Sequence, residues 1–182
     1  MKAVIALDSF KGSLTSRQAG EAVASGARAA GVEEVVVKPL ADGGEGTAQA
    51  LVEALGGEFV TATVRGPLLE PVECQYGLIE GGKTAVIDMA LAAGLPLVPE
   101  ALRNPMETTT VGVGELISHA IDRGCRHFLI GLGGSATNDG GTGMLMGLGY
   151  SLSDARGRCI PYGAKGLWSL QSISGGRPEL RE

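Results

Sequence analysis

The sequence predicts an α/β protein in two parts: a parallel β–α–β start, then a second α/β unit that opens with a β-meander. Three observations carry this. Residues 2–7 (KAVIAL) form a continuous apolar run with the pattern of a buried parallel strand, and Val35-Val36-Val37 repeats it after an intervening helical stretch. From Phe59 the pattern changes. Residues 59–64 alternate with threonines, residues 72–79 are strand-like, and Glu80-Gly81-Gly82-Lys83 turns the chain into Ala85-Val86-Ile87. Finally, Phe128-Leu129-Ile130 runs into a glycine-dense stretch, 131–149, in which Met144, Leu145, Met146 and Leu148 supply the apolar mass of a helix. The first unit is thus expected at 1–57 and the second at 58–182.

Taken in order, the first helix is expected to open at the capping box Thr15-x-x-Gln18, to bury Ala19, Ala22, Val23, Ala27 and Ala30, and to stop at Gly31. A second helix carries Leu51, Val52 and Leu55. Pro96 and Pro99 keep residues 91–99 from forming a long helix. Gly112 and Gly114 open a further helix with Leu116, Ile117, Ala120 and Ile121 inward; His119 falls off that stripe and is expected in solvent. Residues 150–154 read as a strand, 154–157 as a turn, and the surroundings of Trp168 as a short helix. The tail, 175–182, has no apolar pattern.

Composition narrows the function classes. The 182 residues carry a formal charge of −5 with 4% aromatics and no basic run, which argues against a nucleic-acid partner. No apolar stretch approaches the ~20 residues of a membrane span, and MKAVIAL is too short for a signal peptide. Cys74, Cys125 and Cys159 lie far apart without a CxxC, so a reduced, cytoplasmic protein with neither disulfide framework nor zinc site is expected. His119 and His127 receive no catalytic role, which removes a Ser-His-Asp hydrolase. Gly is the outlier, at 30 residues about twice the average usage of ~7%.

The glycines mark the candidate site. Strand, glycine loop and helix N-terminus together present backbone N–H groups to a phosphate, and 131–143 adds Ser135, Thr137, Asn138 and Asp139 to that frame. Asp8, Ser9 and Lys11 follow the first strand, and Asp42, Glu45 and Thr47 follow the second; ligands of parallel sheets bind beyond such carboxyl ends. Helix capping and turn formation are the other use of Asp8 and Asp42. Thr108-Thr109-Thr110 precede a helix that they can cap, or where they can bind an anion, and Arg103 can clamp a carboxylate or phosphate in a bidentate way. There is no GxxxxGK[ST], so this is not a usual P-loop. Residues 131–136 match G-x-G-x-x-A, with Asp154 near the distance of a ribose-binding acid, which keeps a nicotinamide-dependent oxidoreductase open. An acidic loop with a divalent ion suits phosphoryl transfer better than hydride transfer.

Four separated blocks resemble bacterial type 1 glycerate kinases. They are Asp8-Ser9-Phe10-Lys11-Gly12-Ser13, residues 41–47 (ADGGEGT), Arg103-Asn104-Pro105 with Thr108-Thr109-Thr110, and residues 133–141 (GGSATNDGG). Leu7, Val111 and Val113 depart from the pattern without removing a polar group. The resemblance implies two α/β domains, one Rossmann-like or flavodoxin-like, with the site in the cleft between them. It also implies ATP-dependent phosphorylation of D-glycerate to 2-phosphoglycerate with Mg²⁺. Family members run well past residue 182, so this chain corresponds to their N-terminal part. A fragment that binds ligand without turnover is the alternative, and homo-oligomerisation is left open. Under the resemblance, Asp8, Lys11, Asp42 and Asp139 are the catalytic set, one of Asp8 and Asp42 acting as base. Ser9, Arg103, Thr108 and Thr109 bind substrate. Gly133, Gly134, Ser135, Thr137 and Asn138 cradle phosphate, and Asp139 with Glu45 lies near the metal.

Overall fold

The computed structural model describes residues 1–10, 13–44 and 46–177. Lys11, Glu45 and the end of the tail, 178–182, therefore lie outside the described residues. The α/β class holds. Strands β1 (Lys2–Ile5) and β2 (Glu34–Val37) pair in parallel, from Lys2 opposite Glu34 to Ile5 opposite Val37, with α1 (Ser16–Ala29) as the crossover. The capping box forms as expected: Gln18 N donates to Thr15 Oγ1 at 3.2 Å, and Thr15 N donates to Gln18 Oε1 at 2.9 Å.

The buried face of α1 differs from the expected one. Ala19, Gly20 and Ala24 are covered, whereas Ala22, Val23 and Ala30 are exposed. The reason is close approach. A Cβ on Gly20 would stand 2.6 Å from Val37 Cγ1, so the helix lies against β2 along its smallest side chains.

The second sheet has four strands in the order β3 (Glu58–Arg65), β4 (Pro71–Ile79), β5 (Thr84–Asp88) and β6 (His127–Gly131). The first three form the antiparallel meander that the alternation predicts. The fourth runs parallel to β5, from Thr84 opposite His127 to Asp88 opposite Gly131. The crossover is α4 (Val111–Asp122), preceded by the four-residue α3 (Ala90–Ala93) and two short 3₁₀ turns. All five residues of β5 are buried, because both faces of the strand are covered. On one face, Ala85 and Ile87 join Tyr76, Leu116, Ile117 and Ala120 in the main core. On the other, Val86 and Ile79 meet Ala48 and Val52 of α2 (Thr47–Leu55). Helix α2 thus packs on β4 and β5; a Cβ on Gly77 would fall 2.2 Å from Val52 Cγ2.

His119 is a correction. It is half-buried, its Nδ1 lies 3.0 Å from Tyr76 Oη, and the rings meet edge-on. A helical position beside the apolar stripe still reaches the sheet when a tyrosine hydroxyl waits there. Beyond β6, α5 (Thr142–Gly147) crosses α4, and β7 (Tyr150–Ser153) pairs antiparallel with β8 (Ser172–Gly175). The predicted short helix near Trp168 is a 3₁₀ helix, Ala164–Ser169. Among the described residues no helix is long and apolar enough to cross a membrane.

The crossing of α4 and α5 is made of glycine. A Cβ on Gly114 would stand 2.1 Å from Met144 O, and one on Gly147 would stand 2.5 Å from Val111 O. Gly114→Ala is expected to cost about 1–3 kcal/mol in urea unfolding, since backbone cannot yield as a side chain can. Gly26→Ala, inside α1 with nothing within 4 Å of its new methyl, is expected to stabilise by up to about 1 kcal/mol.

The main core also predicts an alkaline limit. Burial pushes the Cys74 thiol from 9.0 up to about 11, and raises Tyr76 and Cys125 as well. Each group is held neutral in the fold while its unfolded counterpart ionises. The unfolded state therefore loses protons first, and stability falls as pH climbs from 9.0 toward about 11. The urea midpoint is expected to drop across that window and Cys74→Ser to flatten the drop.

Candidate active site

Loops beyond the strand carboxyl ends converge on one cavity of about 890 Å³. Asp8 and Ser9 reach it from β1, Asp42 and Gly44 from the segment after β2, and Gly133 and Gly134 from the loop after β6. Of the expected site residues among those described, Asp8, Ser9, Asp42, Gly133 and Gly134 are the ones brought together. Both aspartates organise their own loops: Ser9 N donates to Asp8 Oδ1 at 2.7 Å, and Gly44 N donates to Asp42 Oδ1 at 2.9 Å. The turn-forming use of these residues is therefore present, and both side chains also remain exposed on the cavity wall.

The two glycine loops touch backbone to backbone. Gly133 N donates to Gly43 O at 3.0 Å, while a Cβ on Gly131 would lie 2.7 Å from Gly43 O and one on Gly133 would lie 2.6 Å from Gly44 Cα. Any side chain there would pry the loops apart. The far side of the central loop is stitched to the end of α3 and the residues just after it, with Ala136 N on Ala93 O at 2.9 Å and Leu95 N on Gly134 O at 3.0 Å.

Other expected site residues take different places. Asp139 is 1% exposed and does not face the cavity. Its Oδ2 accepts from Thr110 N at 2.9 Å and Gly143 N at 3.1 Å, and its Oδ1 accepts from Gly141 N at 3.0 Å. The hydroxyls of Thr109 and Thr110 lie 3.3 Å and 3.0 Å from Oδ2. A carboxylate so enclosed is a lock between the starts of α4 and α5, and the structure places it there, apart from the lining of the cavity. Thr108 and Thr109 are equally buried; Thr108 Oγ1 donates to Ala136 O at 2.7 Å. Both hydroxyls are engaged in internal hydrogen bonds. Arg103 is exposed and turned back, with Nε 3.3 Å from Val98 O, and it does not line the cavity. Ser135 and Thr137 bond each other, hydroxyl to hydroxyl at 2.8 Å, and neither they nor the exposed Asn138 line the cavity.

Two features escaped the sequence reading. Asp88, the last residue of β5, is buried beneath the start of α2 and lines the cavity. Arg17 of α1 meets Glu53 of α2 through Nε at 2.9 Å, with Gln49 on the other carboxylate oxygen at 3.1 Å. That hydrogen bond holds the Glu53 carboxyl below its ordinary range and raises Arg17. Arg17 is the one cation lining the cavity among the described residues. Among those residues no group of three His, Cys, Asp or Glu side chains is clustered for a metal.

The chain has relatives of known name. The chain is 50% identical to a glycerate kinase of Bacillus subtilis (strain 168), over 95% of this chain and 46% of that protein. It is 46% identical to a glycerate 2-kinase of Escherichia coli (strain K12), over 100% of this chain and 49% of the relative. A crystal structure from Salmonella typhimurium LT2, assigned as glycerate kinase 2, superposes with a TM-score of 0.84 at 48% identity, over 97% of this chain and 48% of that one. The chain spans about half the length of these relatives. With residues 3–182 matching the glycerate kinase family, the chain belongs to that family.

Proposed function

We propose that the cavity binds D-glycerate and takes part in transfer of the γ-phosphoryl group of ATP to it, giving 2-phosphoglycerate. The observation that carries the reading is the convergence of Asp8, Ser9, Asp42, Gly133 and Gly134 on one cavity beyond the strand ends. Glycerate is small, and its hydroxyls need acceptors and a base while the transferred group needs donors. Asp42 and Asp8 offer the first, and the Gly133 and Gly134 backbone the second. One aspartate takes the proton of the attacking hydroxyl as its oxygen bonds to phosphorus and ADP leaves; positioning supplies most of the rest.

Mg²⁺ is usually held by one or two carboxylates plus substrate phosphates, which suits the remaining aspartate of the Asp8–Asp42 pair without a three-carboxylate cluster. Bound there, it would neutralise charge on the phosphates. The unpaired cysteines suit a cytoplasmic setting. Binding without turnover is the second reading, favoured by the apolar side chains Phe10, Leu14, Leu40 and Phe59 that stand at least 42% exposed around the cavity.

ADP release from ATP and Mg²⁺ with and without D-glycerate tests the proposal; release that depends on glycerate is expected. Calorimetric glycerate binding without ADP would favour the second reading, and neither signal would sink both. Asp42→Asn is expected to lower turnover more than about tenfold with little change in melting temperature. Asp139→Asn is expected to do the reverse, lowering the melting temperature by several degrees, because it turns an amide N–H₂ toward buried donors at a cost of about 1–3 kcal/mol.

A further inference from the structure

Resting on the kinase reading above, we propose that Asp88 is a positioning residue for phosphoryl transfer, fixing Gly46 and Ala48, at the start of α2 beyond Asp42, against the central glycine loop. The residue ends β5, the strand buried on both faces, and is itself 4% exposed. Its carboxylate is aimed at the start of α2: Oδ2 accepts from Gly46 N and Oδ1 from Ala48 N, each at 3.0 Å. Helix α2 has no cap of its own. Its N-cap is Gly46, held at φ +91 and lacking a side chain, so the acceptor comes from another element. A negative charge there also complements the helix dipole.

The same carboxylate underlies the opposite loop. A Cβ on Gly131 would stand 3.2 Å from Asp88 Oδ1, and Met89 N, one residue on, donates to Gly131 O at 3.0 Å. Gly133 N then closes the circuit on Gly43 O. One rigid strand end therefore sets both loops, and Asp88, Asp42, Gly44 and Gly133 all face the same cavity. Phosphoryl transfer depends on such placement, and a displacement of ~1 Å can cost about 10²-fold.

The test compares Asp88→Asn and Asp88→Glu with the wild-type chain by steady-state kinetics and by amide hydrogen exchange. Asp88→Asn keeps one acceptor oxygen and turns an amide N–H₂ toward the other donor. It is expected to lower kcat roughly 10²-fold while leaving KM for glycerate and ATP nearly unchanged. Exchange at Gly46 and Ala48 should quicken while that of α4 stays as in the wild type. Asp88→Glu, which keeps both acceptors, should recover part of the kcat and of the protection; if Asp88→Asn fails to fold, this variant carries the comparison, with a smaller kcat loss at unchanged KM. Unchanged kcat in an active preparation would overturn the proposal, as would unchanged exchange at Gly46 and Ala48, or acceleration spread equally through α4. No glycerate-dependent ADP from the wild type would overturn the kinase reading instead, and the exchange result would then judge the anchor by itself.

Discussion

The enclosed carboxylate of Asp139 is the interaction on which the second half of this structure depends. Helices α4 and α5 begin side by side without side-chain caps of their own at Thr110 and Gly141, and their crossing has no bulky side chain at its centre. An uncapped pair of helix starts buried together would leave several N–H groups without partners, each costly away from water. Asp139 resolves this with one side chain, taking amides from both helix starts and hydroxyls from the threonine turn. Thr110 relays the arrangement further, its hydroxyl accepting from Met144 N at 2.9 Å. The central loop is thereby tied at both ends, by Asp139 on one side and by Gly43 on the other.

Much of the architecture was legible in the sequence because it rests on local signals. The Thr15–Gln18 capping box, the meander and the strand-to-loop transition at Gly131 each depend on residues close in the chain, and each forms. The face of α1 was not legible, since a pattern scored on large apolar residues passes over Gly20, whose value is the absence of a side chain. His119 was misplaced for a related reason: its partner, Tyr76, lies 43 residues away on β4.

The candidate site divides along the same line. Asp8, Ser9, Asp42, Gly133 and Gly134 could be found because each follows a recognisable strand. Thr108, Thr109 and Asp139 read as ligand-facing groups, yet all three are buried, with Thr109 bonded to Asp139 and Thr108 to the Ala136 carbonyl. A polar cluster in a sequence announces hydrogen bonding without saying whether the partner is a ligand or the chain itself. Asp88 carried a usable signal, a single acid closing the apolar run Ala85-Val86-Ile87, where parallel sheets turn toward their ligands.

The contact between the two glycine loops has a consequence for how this cavity can change. Its glycine side, Gly44, Gly133 and Gly134, rests on a contact of backbone against backbone, with Gly131 and Gly133 set on Gly43 and Gly44 at distances that admit no side chain. Such a contact cannot be re-cut by point substitution, because any enlargement of one loop displaces the other. The upper wall is different in kind, made of Phe10, Leu14, Phe59, Gln75 and Leu91, whose side chains can be exchanged without moving the main chain. Divergence in what the cavity accepts, whether by drift or by engineering, therefore has one permissive direction. It proceeds through the walls while the glycine side stays invariant.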